Sequence, residues 1–266
     1  MTRLDPRHLW TRLRAEPRPL RFLVSRLLWR SGLSRRLVVQ RNGYRIRFHP
    51  SAVSAAAWAD PRFTSEEESF IASRLRAGDC YVDVGANVGL LALRAASVVG
   101  PSGRVIAIEA HPRTFRFLQE NAMLNAFSSL QPIHRAVGEA EGTVSFSDFL
   151  SDDQNHVLLD GDGVRVALRR LDELVPDVPI ALLKVDVEGF ELPVFRGAPA
   201  VLARTRTILF ESWDRHAARY GYSLAELVTL LRASGFTLHR LVSGELEEIV
   251  GTVSSPGCEN LVAIRT

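Results

Sequence analysis

Residues 80–99 read CYVDVGANVGLLALRAASVV, and this stretch decides the fold. CYVDV (80–84) is a short apolar strand that stops at Gly85. GLLALRAASVV (89–99) is an apolar helix, and the turn GPSG (100–103) resets the chain. Gly85 and Gly89 permit a tight turn and the close approach of a ligand to backbone. The dinucleotide fingerprint G-x-G-x-x-G is absent: Asn87 holds the second glycine position and Leu90 falls where the third would be. Asp83, two residues before the turn, would repel a phosphate and suits a cationic ligand instead. S-adenosylmethionine has that chemistry, with a sulfonium, an ammonium and no phosphate.

The same alternation continues outward. RVIAIEA (104–110) reads as a second strand, and HPRTFRFLQENAMLN (111–125) as an amphipathic helix with Pro112 in its first turn. LQPIHRAVG and GTVSFS follow as strands, then a polar loop over 151–163. VRVAL leads into a short helical turn that Asp172 would cap. IALLKVDV is the next strand, ELPVFRGAPAVLAR a helix and TRTILFES another strand. SLAELVTLLRASG is a helix with Ser223 as N-cap and Gly235 as its stop, and FTLHRLV, LEEIV and NLVAIR close the chain as strands. The expected class is α/β: a Rossmann-like, mostly parallel sheet covered on both faces. Ligands in such sheets bind beyond the carboxyl ends of the strands, near the topological switch. Glu109 ends the second strand, 24 residues after Gly85, where a carboxylate accepts both hydroxyls of a ribose.

ALLKVDVEGFE (181–191) places three charges on an otherwise apolar strand. Strand alternation puts Lys184, Asp186 and Glu188 on one face, with Leu183, Val185 and Val187 on the other. Lys184 is the single lysine among 33 Lys and Arg residues. The expected roles are Asp186 as the group that orients or deprotonates a hydroxyl, and Glu188 as a wall of the acceptor pocket. Lys184 would pair with these acids and lower their pKa. Glu211 ends the following strand, so Asp186 with Glu211 offers an alternative site for Mg²⁺, which favours hard oxygen ligands. His216 is a second candidate base.

Charge is distributed unevenly. Residues 1–47 hold thirteen arginines against Asp5 and Glu16, a balance of +11, and the remaining residues balance to −8. The arm is expected to be a basic helical extension, with the catalytic domain over 48–266. Leu20, Leu23, Val24, Leu27 and Leu28 recur at helical spacing, with Arg21, Arg26 and Arg30 outside that stripe. The stripe is expected to dock on the body, with a weak peripheral membrane contact as the second reading. No aromatics interleave with base-reading side chains, so no nucleic-acid partner is expected. No apolar run approaches the roughly 20 residues of a membrane span, and no secretory signal is read. Two cysteines are too few for a disulfide framework or zinc site, and a cytoplasmic setting fits.

YVDVGANVGLLAL, VIAIEAHPRTFRFLQENAMLN, HRAVGEAEGTVSF, LLKVDVEGFELPVFRGA and ILFES together resemble the FkbM family of S-adenosylmethionine-dependent methyltransferases. The resemblance covers roughly residues 60–265, and K-V-D-V-E-G is its most specific part. It implies a class I methyltransferase fold and O-methylation of a hydroxyl on a sugar, glycolipid or polyketide-type acceptor. It also implies that Asp83, Gly85, Ala86, Asn87 and Gly89 line the methionine part of the cofactor. Glu109 would then hold the ribose, Ala110 and His111 border the adenine, and Ala136 and Val137 close that pocket. The alternatives are a nicotinamide-dependent dehydrogenase on a similar sheet and a non-catalytic membrane-associated adaptor.

Overall fold

The computed structural model describes residues 19–31, 36–149, 154–242 and 244–266. Helix α1 (Pro19–Ser31) is followed by a hairpin of β1 (Val38–Gln40) and β2 (Arg45–Arg47), then α2 (Ala52–Ala59) and α3 (Ser65–Arg74). The βα alternation is β3 (Cys80–Val84), α4 (Leu90–Val99), β4 (Arg104–Glu109), α5 (Pro112–Asn125) and β5 (Leu130–His134). Next come β6 (Ala136–Val137), β7 (Gly142–Phe146), β8 (Val157–Leu158), β9 (Val164–Arg169) and α6 (Leu171–Leu174). The chain then runs β10 (Ile180–Val185), α7 (Glu191–Arg196), α8 (Pro199–Ala203), β11 (Thr205–Ser212), α9 (Asp214–Arg219) and α10 (Leu224–Ala233). It ends with β12 (Phe236–Val242), β13 (Glu245–Glu248) and β14 (Glu259–Arg265).

The main sheet has eight strands in the order β13-β12-β14-β11-β10-β3-β4-β5. β11, β10, β3, β4 and β5 run parallel, while β14, β12 and β13 pair antiparallel. The chain winds outward from β3 to β5, then returns to lay β10 on the other side of β3. The topological switch therefore lies between β3 and β10, which pair with Asp83 opposite Lys184. Both faces of these strands are buried, because alternate side chains enter two separate apolar layers. Val82, Val84, Leu183 and Val185 pack in one layer, and Tyr81 and Leu182 in the other.

Local sequence explains the helix ends. Ser223 and Glu226 form a reciprocal capping box on α10. Pro112 sits in the first turn of α5. Asp172 does cap a helix, though not its own: its carboxylate accepts from the amides of Ala200 and Val201 at the start of α8. The helix expected over 191–204 divides into α7 and α8 at Gly197, whose hypothetical Cβ would stand 2.0 Å from the Gly138 carbonyl oxygen.

Two expectations about the body change. The strands at 142–146 and 164–169 leave the main sheet and form a four-stranded sheet, order β6-β9-β7-β8. The last part of the basic arm is a hairpin integrated into the body, not helix. Tyr44 and Ile46 are buried with Val88, Leu90 and Phe117, and the Tyr44 hydroxyl donates to Glu68 at 2.7 Å. α1 packs on α2 as expected of a docked arm, yet Leu20, Leu23, Val24 and Leu27 stay exposed. Ser25 is the buried residue, with Leu28 and Trp29 half-buried. The first eighteen residues of the arm lie outside the described residues. Among the described residues, no helix is long and apolar enough to cross a membrane.

Candidate active site

A cavity of about 260 Å³ opens at the β3–β10 switch. Its floor is the turn after β3. Gly85 has φ +83°, and a Cβ there would lie 1.8 Å from the Asp186 carbonyl oxygen. Only glycine allows that approach. The Asp186 amide in turn donates to the Val84 carbonyl at 3.0 Å, so the ends of β3 and β10 are stitched together. Asn87 holds φ +50°, an uncommon left-handed conformation outside glycine. Gly89 is also left-handed, but it does not line the cavity. A Cβ there would meet the tip of Leu118 at 2.6 Å, and the φ of +94° at the start of α4 is what favours glycine.

Glu109 is buried and lines the cavity. One carboxylate oxygen accepts from the Asn87 amide at 2.9 Å, the other from the His111 amide at 2.8 Å. The carboxylate thus fastens the glycine loop to β4, and a carboxylate oxygen has the capacity to accept a ligand hydroxyl as well as an amide. Ala86, Asn87, Ala110, Ala136 and Val137 line the cavity. His111 does not. Its buried Nε2 lies 3.3 Å from Asp148, and burial, the larger influence, together with Arg113 holds its pKa below the ordinary histidine value.

The charged residues of β10 occupy the opposite wall. Lys184 is buried, with its Nζ 3.1 Å from Asp186 and 3.6 Å from Asp83. Neither oxygen of Asp83 accepts a well-formed hydrogen bond, although the residue is 1% exposed. Lys184 does lower the pKa of both acids, as expected, but burial outweighs it. Burial dominates at Asp83 and at Asp186 and leaves both carboxyls above their ordinary value, with Lys184 offsetting part of the rise. The side chain of Asp186 is 37% exposed and that of Asp83 1%, so Asp186 is the reachable acid of the pair. Burial acts to lower the pKa of Lys184, but Asp186 and Asp83 outweigh it and hold the ammonium charged.

Glu188 lines the cavity too, but not by strand alternation. β10 ends at Val185, and Glu188 sits in a turn with φ +58°. Its carboxylate approaches His216 Nδ1 at 3.7 Å, and Glu211 approaches the same nitrogen at 3.3 Å. Burial works to raise the pKa of Glu211, but hydrogen bonds from His216 and Cys258 prevail and hold it below the ordinary value. Among the described residues, Glu188, Glu211 and His216 bring one potential ligand atom each within 4.8 Å of one another, and Asp186 is not part of that group. Glu211 and His216 do not line the cavity.

Two parts of the site were missed in the sequence. Glu191 is buried, and one of its oxygens accepts from the amides of Val187 and Gly189, both at 3.1 Å. Its other oxygen receives the Tyr222 hydroxyl at 3.2 Å. Burial, helped by Glu211, pushes its pKa up to about 8. The available signal was an acid in the first helical turn after a glycine turn, where amides are unpaired. The second part is a roof from the small sheet and its loop: Phe146, Asn155 and Val157 line the cavity.

The chain matches the family described as Methyltransferase FkbM domain over residues 83–238. It belongs to the FkbM methyltransferase family. A hexuronic acid methyltransferase from Haloferax volcanii is 27% identical over 182 residues, covering 66% of this chain and 73% of the relative. The 31-O-demethyl-FK506 methyltransferase of Streptomyces tacrolimicus is 28% identical over 200 residues, covering 62% and 75%. A solved FkbM methyltransferase from Methylobacillus flagellatus superposes with a TM-score of 0.48 at 18% identity, covering 80% of this chain and 52% of that one. The family is S-adenosylmethionine-dependent, and the site fits that cofactor. A buried acid with no well-formed hydrogen bond stands beside the glycine turn, and a second acid that also lines the cavity ends the next strand. The membership sets the dehydrogenase alternative aside.

Proposed function

We propose that this FkbM-family methyltransferase acts on oxygen, methylating a hydroxyl of a sugar or polyketide-type small molecule. The observation that carries the reading is Asp186: a partly reachable carboxylate, paired to a buried lysine, directly across the switch from the glycine loop. Bound S-adenosylmethionine supplies an electrophilic methyl on a sulfonium. The protein's tasks are then to hold both reactants and to take the hydroxyl proton. Asp83 would offer a negative charge to the cationic end of the cofactor, and Glu109 would accept from its ribose hydroxyls. Asp186 accepts the acceptor's proton. Burial raises its pKa and so strengthens it as a base, while Lys184 limits that rise and keeps the carboxylate available. Glu188, with its carboxylate against His216, shapes the acceptor side. The two relatives above are named for a hexuronic acid and for 31-O-demethyl-FK506, oxygen-rich molecules of the proposed class. His216 is the weaker base candidate, because it does not line the cavity.

The test is Asp186→Asn, measured for cofactor binding by calorimetry and for S-adenosylhomocysteine formation with uronic acid and macrolide acceptors. Binding is expected to survive, and turnover to fall by about 10²–10⁴, the usual effect of losing a general base. Wild-type turnover in Asp186→Asn would refute the assignment. Turnover lost in His216→Gln instead would transfer the role to the His216–Glu211 pair.

A further inference from the structure

α1 packs on α2 with only part of its surface. Ser25 is buried and Leu28 and Trp29 are half-buried, while the Arg21 guanidinium lies 5.9 Å from the ring of Trp58 on α2. The remaining surface carries Leu20, Leu23, Val24 and Leu27, exposed by 78%, 37%, 43% and 68%. These positions follow the i, i+3, i+4, i+7 rule, so they form one stripe along the 13-residue helix. A single exposed leucine is ordinary, but a contiguous apolar stripe marks an interaction surface.

Charge identifies the occupant. Ten arginines stand against two acids in residues 1–36, ahead of the hairpin, while the rest of the chain is net negative. A second copy seated stripe on stripe would bring two segments of +8 together. An anionic bilayer satisfies both features, since it buries apolar side chains at the acyl boundary and attracts arginine at its headgroups. We propose that α1 docks this protein on anionic lipid bilayers, with Leu20 and Leu27 entering the interface. α2, on which α1 packs, reaches the active-site cavity through Val53. Docking would therefore hold the cavity one helix away from the lipid surface.

The experiment is co-sedimentation of the full chain with vesicles of phosphatidylcholine alone, and of phosphatidylcholine with phosphatidylglycerol in equal parts. Binding is expected to the anionic vesicles only and to weaken as salt rises, because the attraction is screened over a Debye length of about 8 Å. The double variant Leu20→Ser, Leu27→Ser is expected to lower partitioning by about tenfold or more. Both side chains are mostly exposed, so thermal unfolding and S-adenosylmethionine binding should stay unchanged. Three results would each overturn the proposal. The first is no binding by the wild type. The second is undiminished binding by the double variant. The third is a wild-type dimer in sedimentation that the double variant dissolves, which would make the stripe an interface between copies.

Discussion

Replacing Glu191 with glutamine tests whether the turn after β10 is held by a neutral carboxyl. The folded-state pKa is about 8 and the ordinary glutamate value about 4.5, so the native state binds more protons than the unfolded state between these limits. Stability from this group is therefore fully present below about pH 4.5, declines as pH rises through the window, and stops falling above about pH 8. The shift corresponds to roughly 5 kcal/mol at about 1.36 kcal/mol per unit, an upper figure because the turn can relax. In Glu191→Gln the new side chain would keep a carbonyl oxygen for the amides of Val187 and Gly189. Its amide nitrogen would donate to the Tyr222 hydroxyl, which still donates to the Gly189 carbonyl. The variant makes the same contacts without a proton to lose. Urea unfolding of both proteins at about pH 5, 7 and 8.5 is the assay, and slopes m should agree. The variant's advantage is expected to grow by a few kcal/mol across that range. Other titrating groups, including Asp83 and Asp186, act in both proteins and cancel in the difference. Parallel stability curves would refute the reasoning and show that Glu191 titrates as it does in water.

Gly85→Ala is expected to destabilise by about 3 kcal/mol or more, because φ is +83° and the new Cβ meets the Asp186 carbonyl. Urea unfolding measures the loss, and cofactor calorimetry should show binding abolished. Lys184→Met leaves Asp83 and Asp186 without their cation and is expected to cost about 3–5 kcal/mol near neutrality. Its unfolding free energy should recover toward wild type as pH falls and the two acids protonate. A pH-independent deficit would mean the lysine acts by packing alone.

The core was legible in the sequence because strand and helix periods differ and both faces of the central strands are apolar. CYVDV and IALLKV became β3 and β10, adjacent and in register, as the parallel reading required. The cavity's position was legible for the same reason: Asp83, Gly85 and Glu109 stand at strand ends and line it. Glu188 was placed on the cavity for the wrong cause, since alternation stops at Val185 and a left-handed turn carries it instead. The roof was illegible, because Gly142–Phe146 and Val164–Arg169 have strand patterns that say nothing about which sheet they join. The stripe on α1 was misjudged for a related reason. An amphipathic pattern shows that a helix has two faces, but tertiary contact decides which one docks. Here Ser25 lies on the docked side.

The glycine loop and the K-V-D-V-E-G segment behave physically as one object. Gly85 lacks a side chain because the Asp186 carbonyl occupies that space, and the Asp186 amide is bound to Val84. Glu191 then gathers the amides of Val187 and Gly189, which stabilises a turn containing Glu188 at positive φ. A left-handed glutamate costs on the order of 1 kcal/mol or more, and it persists because Glu191 and His216 determine its surroundings. The strained turn places Glu188 on the cavity wall while Asp186, two residues earlier, stays paired to Lys184. Relaxing the turn, for instance through ionisation of Glu191, would then displace both acids together, so loss of a structural proton should weaken acceptor positioning before it weakens cofactor binding.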